Sequence, residues 1–78
     1  EDRAVTEAGR TAYAARTAIL TDKLVSDGFS RTAAERLAIL CVSALQGALI
    51  QARVDQSGRP LELAADELGR LLETAPKA

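Results

Sequence analysis

The segment 37–50 limits most strongly what this chain can fold into. Its only non-apolar residues are Ser43, Gln46 and Gly47, so a helix over this segment is apolar on nearly all sides. Such a helix needs cover on nearly all sides, and a chain of 78 residues offers little surface to provide it. Any part left open would be an exposed apolar patch, which on a soluble protein usually marks an interface.

The composition favours an all-α fold in one domain. Hydrophobic residues make up 47% of the chain, whereas aromatic residues make up only 3%. Alanine and leucine, which are strong helix formers, supply most of the apolar content, and the residues that favour strands are scarce. The length allows one domain at most.

Periodicity and breakers predict three helices. The first covers 2–27 or 3–27, with Gly28 placed to adopt the left-handed conformation that ends a helix. The second follows Phe29 and runs to about residue 55. Its N-cap is either Ser30, which we favour, or Thr32, whose T-A-A-E spacing would make a capping box. The stretch "DQSGR" predicts a turn through its serine and glycine, and Pro60 suits the first position of a third helix over 60–74.

The sequence lacks the residues that several classes of function require. Histidine is absent and Cys41 is the only cysteine, so the sequence predicts no disulfide, no metal site and no His-based catalytic pair. No phosphate-binding loop is present either, and we expect neither a cofactor nor an enzyme activity. The net charge is −1 and the Lys and Arg residues are scattered, which argues against nucleic-acid binding by these residues. No apolar run reaches the length of a membrane span, and a lone cysteine is consistent with a cytoplasmic protein.

With no disulfide or metal available, oligomerisation is the remaining means of stabilising so small a chain. Gly47 would let a partner helix approach closely, although close packing within one chain would also explain it. Gln46 would set the register across a two-fold axis or lie at the rim of the contact. We expect a homodimer in which the last two helices form half of an intermolecular four-helix bundle. The predicted interface residues are Ser43, Gln46, Gly47, Ile50, Val54, Leu61, Leu68 and Leu72.

A few residues are candidates for other roles. Tyr13, Arg16 and Leu20 on the first helix are the candidate ligand-pocket residues. The alternatives are a core aromatic for Tyr13 and a solvated guanidinium with a buried stem for Arg16. Cys41 would be an inert buried thiol rather than a redox sensor, because no basic residue is near it in sequence.

An ordered set of short motifs resembles a known family. The motifs are Gly28-Phe29-Ser30, Leu45-Gln46-Gly47-Ala48-Leu49, Ala52-Arg53 and Pro60-Leu61. In this order they resemble the C-terminal end of a tetracycline-repressor (TetR) family transcriptional regulator, most closely the LmrA/YxaF-like group.

The resemblance implies that residues 1–78 are a dimerisation and effector-binding domain, and that its partners are a second copy and a small-molecule inducer. It also implies that the first helix lines the ligand pocket. Operator DNA would be bound by an N-terminal helix-turn-helix that this sequence does not contain. The chain begins without methionine and resembles a piece of a longer one. The alternative function is a free-standing helical protein–protein interaction module.

Overall fold

The computed structural model describes the backbone of residues 2–77 and the side chains of residues 6–77. In these residues the chain forms three helices and no strand: α1 Asp2–Ser26, α2 Arg31–Asp55 and α3 Arg59–Thr74. The predicted all-α class is confirmed, and each predicted boundary lies within about one residue of the observed one.

The connection from α1 to α2 is a Schellman turn. Gly28 adopts a φ of +112° and donates its N–H to the carbonyl of Val25 at 3.0 Å. The N–H of Phe29 reaches the carbonyl of Leu24, also at 3.0 Å, and the two side chains pack together in the core. The predicted role of Gly28 is confirmed, and the turn sets α2 back along α1.

Ser30 caps α2. Its Oγ accepts a hydrogen bond from the N–H of Ala33 at 3.1 Å, and its backbone is extended, as an N-cap requires. The helix begins at the next residue, Arg31, which decides between the two predicted caps in favour of Ser30. Phe29, immediately before it, is only 4% exposed.

In the connection from α2 to α3, the left-handed residue is not Ser57 or Gly58, the turn residues that the sequence suggested. Gln56 takes the left-handed conformation at φ 51°, and the N–H of Ser57 bonds to the carbonyl of Ala52 at 3.0 Å. Gly58 has an ordinary φ of −80° and precedes the first residue of α3. The left-handed position is fixed by where α2 ends, so it falls on a glutamine although a glycine lies two residues later.

The helices form a single layer. Among the described residues, the backbones of α1 and α3 each lie close to α2 but not to each other. The molecule is flat, since its extents are 42, 30 and 13 Å along the three principal axes. Both faces of the layer are therefore open along α2, and burial is concentrated where α1 meets α2. The buried residues there are Thr21, Leu24, Phe29, Ala34, Ala38, Cys41 and Val42.

The apolarity of α2 corrects one expectation. By length and composition alone, Arg31–Asp55 is apolar enough to cross a membrane. Unbroken apolar runs do not reveal this property, because Ser43, Gln46 and Gly47 interrupt the runs while the mean hydropathy of the helix stays high. A core helix of a soluble protein has the same composition, so this property leaves open what covers the helix.

Candidate functional site

One open face of α2 carries residues at alternating spacings of three and four: Leu40, Ser43, Gly47, Ile50 and Val54, here called the Gly47 stripe. This is the spacing with which a helix presents one seam to a partner helix. All five residues are exposed; Ile50 is 64% and Val54 74% exposed. Four of them were predicted as interface residues from the sequence. Leu40 was not, although the same spacing identifies it.

Gly47 has free space around it. A Cβ added to Gly47 would meet no atom within 4 Å, apart from the local helix backbone and the adjacent residues. Close packing within the chain, the alternative explanation for this glycine, is therefore wrong for the described structure. A glycine in mid-helix costs about 1 kcal/mol relative to alanine, and no close packing by the described residues offsets that cost.

The predicted interface leucines of α3 lie differently. Leu61, Leu68 and Leu72 are half-buried along the side of α3 that faces α2, and Leu72 packs against the core cluster. The large apolar side chains that α3 leaves most open are Leu63 and Leu71, at 45% and 37% exposure. Neither is among the predicted interface residues, because both flank the main leucine stripe of the helix.

A groove runs along the C-terminal half of α2 and has a volume of about 560 Å³, within the usual range for small-molecule sites. We call it the Arg16 groove. Its lining residues come from all three helices: Arg16, Val42, Leu45, Gln46, Leu49, Ile50 and Leu61.

The Arg16 groove and the Gly47 stripe lie on different faces of the layer. At 3.6 residues per turn, Gly47 points about 160° away from both Leu45 and Leu49. Ile50 borders both surfaces. Gln46 is half-buried and lines the groove, so the structure places it at the edge of the predicted interface.

The three candidate ligand residues of α1 do not share one cavity. Tyr13 lines a second groove of about 440 Å³, which also contains Asp22, Arg31 and Glu35. The Tyr13 hydroxyl and Ser43 Oγ are 3.1 Å apart and share a hydrogen bond, which ties α1 to α2. Arg16 lines the Arg16 groove instead. Leu20 is half-buried and packs against the core cluster.

Few reactive or metal-binding side chains occur elsewhere in the part of the chain that the structure describes. Cys41 is a buried free thiol, and burial raises its pKa above the usual value, which makes the thiol less reactive. No group of three or more potential metal ligands occurs among the described residues. Neither observation adds a site to the two surfaces already described.

Comparison with known proteins identifies the family. Residues 1–67 match the family model described as "Transcriptional regulator LmrA/YxaF-like, C-terminal domain". No curated protein and no solved structure gives a significant match. The match covers α1, α2 and the first half of α3, and this family of regulatory domains is not enzymatic. The chain therefore belongs to the LmrA/YxaF-like C-terminal domains of TetR-family transcriptional regulators.

Proposed function

We propose that this chain is the dimerisation and inducer-binding domain of a TetR-like transcriptional repressor. Domains of this family serve regulators in ligand binding and dimerisation generally. The observation that carries the proposal is the Gly47 stripe, an open apolar seam with helix–helix spacing on a layer only one helix thick.

In the proposed dimer, α2 and α3 of two copies form a four-helix bundle around a two-fold axis. The free space at Gly47 lets the two α2 helices approach closely, and Ile50 and Val54 lose their exposure in the contact. A two-fold symmetric dimer needs only one self-complementary surface, so each stripe residue occurs in the contact twice, once from each copy. Regulators of this family are soluble and generally cytoplasmic, and we assign the repressor to the cytoplasm. Operator DNA is then bound by a helix-turn-helix outside residues 1–78.

Size-exclusion chromatography with light scattering tests the dimer. At micromolar concentration we expect a particle of twice the 8.2 kDa chain mass. Val54→Glu places two like charges near the axis and should give a monomer. Ile19→Glu is the matched control, because Ile19 is 72% exposed on α1 and lies outside the stripe. A wild-type monomer that stays soluble would contradict the proposal and favour the free-standing interaction module.

A further inference from the structure

We propose that the Arg16 groove binds an apolar carboxylate, with the Arg16 guanidinium holding the acid and the aliphatic lining holding the hydrocarbon. The inference rests on the proposed function and names the chemical class of the inducer.

The lining of the groove fits an apolar body. Five of the seven lining residues are aliphatic, and one of them, Val42, is buried. Leu45 and Leu49 are 37% and 39% exposed, so each leaves apolar surface open to a ligand. Removing such surface from water favours binding in proportion to its area.

The charge in the groove fits an anion. Among the described residues that line the groove, Arg16 is the only charged one and Gln46 the only other polar one. The described ion pairs join Lys23 to Asp27, Arg31 to Asp22 and Arg70 to Glu67, so none involves Arg16.

Arg16 is also the donor of no described hydrogen bond between protein groups, which leaves its guanidinium free to take both oxygens of a carboxylate. An uncharged ligand of the same shape would shield part of the guanidinium from water without forming an ion pair with it, so it should bind less tightly.

The second groove, which Tyr13 lines, does not favour an anion in the same way. It contains Glu35 and the Arg31–Asp22 ion pair, 3.6 Å apart, so the Arg31 guanidinium already has a carboxylate nearby. An added anion would meet two acidic side chains there. Leu45 and Leu49 of the Arg16 groove point about 160° away from Gly47, so their side of α2 stays open in the proposed dimer, and Ile50 is the residue that both surfaces share.

Nuclear magnetic resonance titration of the ¹⁵N-labelled chain tests the ligand class. The probes are dodecanoate, dodecanol and dodecyltrimethylammonium, each kept below its aggregation limit. We expect dodecanoate to shift the amide resonances of α2 around Leu45 and Leu49 and to bind about fivefold or more tightly than dodecanol. The ammonium probe should bind weakest.

Two variants and one control assign the contacts. Arg16→Gln should bring dodecanoate affinity down to that of dodecanol and leave dodecanol binding unchanged. Leu45→Ser should weaken both ligands. Arg10→Gln, which removes an exposed charge on the same helix outside the groove, should change neither.

The outcomes separate the two proposals. Equal affinity for dodecanoate and dodecanol, or an Arg16→Gln variant that keeps the preference, would overturn the ligand class while leaving ligand binding in place. If none of the three probes shifts the groove resonances, the proposed ligand class fails, whereas the dimerisation part of the proposed function is tested by its own measurement. Dimerisation is measured separately by light scattering and is not affected by that result.

Discussion

Gly47 allows a direct test of the proposed dimer. One substitution at this position should keep or increase helicity and should weaken dimerisation. Replacing Gly47 by leucine adds a side chain where the described chain has open space. The chain alone should therefore tolerate the change, and the helix should gain from losing a glycine. In the proposed dimer the same leucine would fill the space that the partner helix occupies.

The magnitudes follow from these two environments. Glycine in a helix interior is about 1 kcal/mol less favourable than alanine, so Gly47→Ala should stabilise each α2 helix by up to that amount. Overpacking a contact costs roughly 1–3 kcal/mol per site. A two-fold interface contains the site twice, so Gly47→Leu should cost the dimer about 2–6 kcal/mol. The dimer dissociation constant would then rise by about thirtyfold or more.

Two measurements on the same samples check this reasoning. Circular dichroism reports helicity, and sedimentation equilibrium reports the dissociation constant. Gly69→Leu is the matched control, since Gly69 is also a helical glycine with nothing within 4 Å of an added Cβ and lies outside the stripe. Helicity should be kept or increased in both variants, and only Gly47→Leu should dissociate the dimer. Unchanged dimerisation in Gly47→Leu would show that Gly47 does not line the interface.

Three further predictions concern the turns and the core. In urea unfolding, Gln56→Gly should stabilise the fold by about 0.5–1 kcal/mol, because glycine adopts the left-handed conformation without a steric cost. The control Gln51→Gly lies inside α2 and should destabilise the fold by about 1 kcal/mol. Ser30→Ala should cost about 1 kcal/mol in the same assay through loss of the cap to Ala33, and Thr32→Ala should cost much less. Burial raises the pKa of the Cys41 thiol, so at a given pH less thiolate is present in the folded chain. Alkylation by iodoacetamide should therefore be slower in native buffer than in concentrated guanidinium chloride, and equal rates would contradict this.

The local features of the fold could be predicted from short sequence patterns. Gly28 ends α1 and Ser30 starts α2 because each acts through hydrogen bonds to residues within five positions. Gln56 could not be predicted, since the left-handed position depends on the residue at which α2 ends, and helix ends are uncertain by one or two residues.

The arrangement of the candidate surfaces could be predicted only in part. The spacing of Ser43, Gly47 and Val54 places them on one helix face whatever the tertiary structure is. The separation of Tyr13 from Arg16 into two grooves depends on how α1 crosses α2, which no periodicity encodes. The same crossing decides that Leu61 lines a groove with Arg16, although 45 positions separate them in sequence.

The single-layer architecture explains why one helix carries two unlike surfaces. A helix with neighbours on two opposite sides keeps two open faces, and α2 is apolar on both. One face has small residues and no charge at helix–helix spacing, which suits a second helix. The other forms the Arg16 groove, whose described lining contains the Arg16 cation and no acidic residue, which suits a small anion. Because both faces belong to the same helix, the proposed ligand and the proposed second copy would contact opposite sides of α2.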